Sequence, residues 1–140
     1  MRIGRLMIAG AAVGTTIGQA RADLNATHVF NPCWPPHARF HAAVGLAVGA
    51  GCSLLSLWLL WRPGSARERE LGTTVAALLP ALLWAPFFPA ALLPGSAVED
   101  EPGQLPRVAG IPLNLLTAGV VPAMSVLGYC VDRLETRAAR

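Results

Sequence analysis

The 140-residue chain predicts an all-α fold: an integral membrane four-helix bundle with both termini in the cytoplasm. Three observations carry that prediction. Hydrophobic residues make up 54 % of the chain and charged residues only 14 %, where a soluble domain carries about 25 % charged. The apolar residues gather into four runs, at 3–22, 40–61, 71–93 and 108–131. All eleven basic residues are arginines, and they are unevenly divided between the ends of those runs. A helix rises about 1.5 Å per residue, so 20 to 24 residues cross a hydrocarbon core of about 30 Å. A soluble chain this short lacks the polar surface to cover four such segments. The net charge of +3 is too small and too dispersed to read as a nucleic-acid footprint. The chain is read as one membrane domain, 1–140.

The first run is interrupted only by Arg5 and carries Gly10, Gly14 and Gly18 at four-residue spacing. That spacing puts three glycines on one helix face, where a second helix can approach closely. Arg2, Arg5 and the ending Ala20-Arg21-Ala22 also resemble a secretory signal with a cleavage site. A signal peptide has no use for a glycine face, so the run is expected to stay as the first span. Residues 23–36 form an outer loop. The second run starts near Trp34, with Asn31 as a plausible N-cap and Pro35 or Pro36 in the first turn, where a missing N–H costs nothing. Pro63 and Gly64 stop it, and a polar turn follows. Pro80, Pro86, Pro89 and Pro94 are expected to kink or break the third run, and Pro112 and Pro122 the fourth. Such kinks free carbonyls and favour a cavity. Trp84, in mid-span, calls for packing or a hydrogen bond. The acidic stretch Glu99-Asp100-Glu101 reads as a solvated loop. Arg2, Arg5, Arg62, Arg67, Arg69, Arg133, Arg137 and Arg140 fall on one side, and Arg21, Arg39 and Arg107 on the other. The positive-inside rule then places both termini in the cytoplasm. Trp58 and Trp61 mark the inner interface and Trp34 the outer one. Cys33, Cys52 and Cys130 form no CxxC pair and read as packing residues, with Cys33 an exposed thiol.

All three histidines lie within 14 consecutive positions. His37 and His41, at i and i+4, share a helix face, and the row continues through Gly45, Gly49 and Ser53. A row running into small residues is expected to face the bundle, so the histidines are expected to point inward. Asn114 is the other uncompensated polar group, placed about 9 Å below the outer end of the fourth run. Together His28, His37, His41 and Asn114 are expected to line a pocket open to the outer face, with Asp23, Trp34 and Arg39 as further ligand contacts. Three chemistries fit. His28, His37 and His41 have spacing that suits a metal ion, with haem as the other cofactor of that kind. A histidine also serves as acid or base toward a lipophilic substrate, in an isomerisation or cyclisation. A purely architectural role, holding the Asn31-Pro32 turn, is the third. Arg39 either snorkels to head groups or binds an anionic one. No Walker motif, G-x-S-x-G or paired zinc knuckle is present.

The segment THVFNPCWPPHARFH, residues 27–41, resembles an uncharacterised family of short four-span membrane proteins in which this loop-plus-helix segment recurs. The similarity extends over nearly the whole chain and implies the fold and a membrane location. The four-span layout is also similar to the membrane domain of sterol isomerases and sigma-2-type receptors, where a bundle cavity holds a lipophilic ligand. The acidic residues such isomerases place beside their histidine are missing from these spans. Expected partners are the lipid bilayer, a lipophilic small molecule, and a second copy or a larger membrane partner packed on the faces Gly10-Gly14-Gly18 and Gly45-Gly49. No nucleic-acid partner is expected.

Overall fold

In the computed structural model, which describes residues 2–99 and 103–139, almost all regular structure is helical. The elements run α1 (Ile3–Asp23), α2 (Pro36–Trp61), α3 (Ala66–Trp84), α4 (Phe87–Ala91), β1 (Arg107–Val108), β2 (Ile111–Pro112) and α5 (Leu113–Ala138). Three stretches are long and apolar enough to cross a membrane: Pro36–Trp61, Ala66–Ala91 and Leu113–Ala138. Asp100 and Glu101 of the acidic stretch, and Arg140, lie outside the described residues.

Local chemistry sets the ends. Pro36 opens α2 at its first turn and Pro35 is the capping residue, so α2 starts two residues later than its Trp34. Asn31 caps no helix; its Oδ1 accepts from the Cys33 N–H at 2.9 Å and closes a turn before α2. Ser65 and Glu68 form a reciprocal capping box at the start of α3. Pro86 separates α3 from α4. In the last part of the chain β1 and β2 pair antiparallel around Ala109 and Gly110, both at positive φ (50° and 80°). That hairpin occupies residues assigned to the fourth span, so α5 starts at Leu113 and not at Val108, and continues to Ala138.

Each long helix packs mainly on two neighbours: α1 lies against α2 and α5, α3 also touches α2 and α5, and α1 and α3 meet more lightly across the bundle. The buried positions step by three and four in every one. They are Gly4, Ile8, Ala11 and Thr15 in α1, with Ala12 beside them, Gly49, Ser53, Ser56 and Leu60 in α2, Thr73, Ala76, Pro80 and Trp84 in α3, with Gly72 and Ala77 beside them, and Ala118, Val121, Ser125, Gly128 and Asp132 in α5. That period is the seam of left-handed helix packing. Small residues fill it, so backbones come close: a Cβ on Gly128 would lie 2.8 Å from the Gly4 carbonyl oxygen, and one on Gly4 would overlap the backbone of Asp132. The sequence's own candidates fare differently. Gly10 and Gly18 meet α5 side chains at ordinary contact distance, Gly14 and Gly45 meet nothing, and Gly49 holds the Gln19 carboxamide.

Hydroxyls complete the seam. Pro80 has no N–H to give to the Ala76 carbonyl, and Ser56 of α2 donates to that oxygen at 2.8 Å. Ser125 of α5 donates to the Ala77 carbonyl at 2.9 Å. The carbonyls on the turn before Pro80 are thus satisfied by serines from both neighbouring helices. Trp84 meets its expected role, donating from Nε1 to Thr15 Oγ1 at 3.1 Å. Among the cysteines, Cys33 and Cys130 are exposed and only Cys52 is partly covered, so Cys130 is not a core residue.

Candidate functional site at the outer end

The antiparallel register of α1 and α2 decides where the histidines stand. Arg5 donates to the Leu60 carbonyl at 2.9 Å, and Gln19 lies on Gly49. Helices of equal rise keep that register, so Asp23, four residues after Gln19, comes level with Gly45, four residues before Gly49. The opening turns of α2, with His37 and His41, therefore stand beyond the end of α1.

The loop covers this end by local bonding. Asn25 Nδ2 donates to the Arg21 and Ala22 carbonyls at 3.1 and 2.7 Å, closing the end of α1. Its Oδ1 accepts from the Thr27 N–H and hydroxyl at 2.9 and 2.6 Å. Asn31 Nδ2 reaches the Thr27 carbonyl at 3.3 Å. Two asparagines thus hold a loop without regular structure, as their short amides allow.

His37 and His41 are hydrogen-bonded to each other, Nε2 to Nε2 at 3.0 Å, with ring centroids 4.4 Å apart. Both are exposed, as is Phe40 between them. They face away from the neighbouring helices, against expectation. The i+4 row drifts about 40° per step, so it winds around the helix. Gly45 is still exposed, and only Gly49 and Ser53 are buried. Arg39 is on the partly covered side instead, and its Nε is buried without a hydrogen-bond partner, as are Gln19 Oε1 and Ser53 Oγ.

His28 belongs to the loop. Its Nδ1 lies 2.8 Å from Thr27 Oγ1, and its ring meets Trp34 edge-on at 5.2 Å. Asp23 is half-buried beside it; burial raises the carboxyl above its usual value, and the His28 charge lowers it in part. Among the described residues no three His, Cys, Asp or Glu side chains are arranged to hold a metal. The three-histidine centre is thus reduced to the pair His37 and His41. Their 3.0 Å separation lets both nitrogens reach one ion at about 2.1 Å as adjacent ligands. It is too short for axial ligands on opposite sides of a haem iron, which stand about 4 Å apart.

Asn114 is not part of this group. Because α5 begins at Leu113, Asn114 sits in its first turn, not further along the helix, and its Nδ2 ties down the Val98 carbonyl at 2.6 Å. Helices α2 and α5 also occupy opposite corners of the packing. Nearby, burial pushes the Glu99 carboxyl up, but the N–H groups of Gly103 and Leu105 and its Arg107 partner outweigh that and hold it below its usual value. No histidine lines either of the two cavities described. One is an apolar groove of about 450 Å³ along α4 and α5, beside Phe88, Leu115 and Val120; the other is at the opposite end of the helices.

A family of unknown function, DUF6640, matches residues 7–140. The chain belongs to that family. No curated protein and no solved structure matches it. The family match takes in the whole of the 27–41 segment and all of α2 to α5.

Sequence reasoning missed one group: Asp132, 4 % exposed, held by Arg5 at 3.3 Å and Arg2 at 3.6 Å. It was placed outside the fourth span, whose end was drawn at residue 131. The signal that finds it is the three-four step Ala118, Val121, Ser125, Gly128, Asp132.

Proposed function

We propose that the chain is a four-span membrane protein with both termini cytoplasmic, a binding component that takes a transition-metal ion at its outer surface through His37 and His41. The observation that carries this reading is the pair of exposed Nε2 atoms 3.0 Å apart on one helix. Two imidazoles on one ion leave its other positions open for water, substrate or a partner's side chain. The fourth span is α1: residues 3–22 are long enough, and its polar Thr15 faces Trp84 rather than lipid. Orientation follows from the arginine distribution. Gly14 and Gly45, which meet no neighbour, are the places where a membrane partner's helix would approach.

Titration of the detergent-purified chain with Cu²⁺ and Zn²⁺, followed calorimetrically, tests the reading. One ion should bind per chain, weakening at least about tenfold in His37→Gln and in His41→Gln and changing little in His28→Gln. Equal binding by all three variants sinks it. Labelling of Cys33 by a membrane-impermeant maleimide from outside the cell tests the orientation.

A second reading keeps the lipophilic substrate. In the His37–His41 hydrogen bond one ring donates and the other accepts, so the pair offers both a base and an acid beside exposed Phe40. Proton exchange on a lipophilic substrate that is lost in either Gln variant and untouched by chelators would favour this over the metal.

A further inference from the structure

The cytoplasmic end of the helices encloses a cavity of about 170 Å³ whose walls include Arg2, Arg5, Arg69 and Arg133 against Asp132 and Glu70. Four guanidinium groups face two carboxylates there, leaving two positive charges in excess. We propose that this cavity binds a phosphate-type anion, either the phosphate of a lipid head group or a soluble phosphate.

Position, preorganisation and size support this. Arg5 donates from Nη1 to the Leu60 carbonyl at 2.9 Å, and Leu60 lies between the exposed Trp58 and Trp61. Exposed tryptophans mark head-group depth, so the cavity stands where lipid phosphates lie. The arginines are held before any ligand arrives. Asp132 anchors Arg5 and Arg2, Thr136 Oγ1 accepts from Arg2 at 2.6 Å, Glu70 pairs with Arg133, and the Gly64 carbonyl takes Arg69. Arg5 commits only Nε and Nη1 to these partners, and a guanidinium has five N–H donors in a fork suited to phosphate oxygens. Water occupies about 30 Å³ per molecule in the liquid, so the space holds several waters or one tetrahedral oxyanion. The first turn of α1 does not take part, because Glu135 already accepts from the Ile3 and Gly4 N–H groups.

The test uses the full chain with two probes: inorganic phosphate in detergent, and phosphatidic acid against phosphatidylcholine in nanodiscs. Binding is read as thermal stabilisation and by native mass spectrometry. Stabilisation by inorganic phosphate assigns a soluble anion; stabilisation by phosphatidic acid alone assigns a head group. In either case Arg69→Gln and Arg133→Gln should each weaken binding about fivefold or more, while Arg67→Gln, which removes the same single charge from a residue not lining the cavity, should change it less than about twofold. No stabilisation by either probe, or an equal loss in Arg67→Gln, overturns the proposal and leaves a closed ion-pair network. Arg2 and Arg5 are kept intact because they hold Asp132.

Discussion

The two ends of the molecule invert each other. The end at the α1–α2 connection collects the residues with the most conspicuous chemistry, His28 in a loop rich in Pro and Trp and His37 and His41 at the start of α2, and leaves the His37–His41 pair exposed. The opposite end, where α1 starts and α5 finishes, carries ordinary arginines and acids, yet it buries Asp132 against Gly4 and locks α1 to α5 through Arg2, Arg5 and Glu135. Exposed chemistry is available for binding and contributes little to stability. Buried charge works in the other direction, because an unpaired ion in a dry seam is costly.

The largest expected effect follows from that contrast. Asp132→Ala leaves Arg5 and Arg2 without their buried partner and should cost about 3 kcal/mol, read as a lowered unfolding midpoint in detergent. His37→Gln and His41→Gln should each change stability by less than about 0.5 kcal/mol, as exposed positions do. Equal losses at the two ends would show that the histidine pair is a structural clasp.

Ser56→Ala comes next. It strips the Ala76 carbonyl of the donor that replaces the missing Pro80 N–H, at a cost of about 1–2 kcal/mol. In a Pro80→Ala background the backbone N–H returns, so the same change should cost less, and a double-mutant cycle measures that coupling. Ala109 is smaller in effect. It holds a left-handed conformation at φ 50° in the outer hairpin, so Ala109→Gly should stabilise by about 0.5–1 kcal/mol.

The smallest effect is one of pH. Burial raises the Asp23 carboxyl above its usual value, so the folded chain holds that proton more tightly than the unfolded chain does. Its protonation favours folding below the unfolded value, and that contribution is lost as pH rises through the folded one. Asp23→Asn should therefore raise the melting temperature slightly at neutral pH and flatten its dependence on pH between there and the carboxylate range. A variant less stable at neutral pH would mean that the His28 charge outweighs burial.

Much of the fold was legible because it rests on local signals. The extent of the first run, the Pro63-Gly64 stop and the Pro35-Pro36 start are read one position at a time, and these correspond to helix ends in the structure, whereas the third and fourth runs are shifted against α3 and α5. The site was less legible. An i+4 row of five positions is not straight: it drifts about 40° per step, so His37 and His41 do not share the side of Gly49 and Ser53. Asn114 was misplaced by five residues because β-hairpin residues 107–112 are apolar enough to pass for helix. A charge at Asp132 reads in the sequence as the end of a span, whereas the three-four spacing carries it onto the buried face.

By itself the sequence determined the helical class, the number of apolar runs and the loop that carries all three histidines, since each depends on the composition of neighbouring residues. Tertiary structure decided which of those residues face a neighbour. The register of Gln19 on Gly49 lifts the histidine pair beyond α1, and the contact of Gly4 with Gly128 closes Asp132 among the arginines. Both depend on how two distant helices slide past each other, and no single helix encodes that.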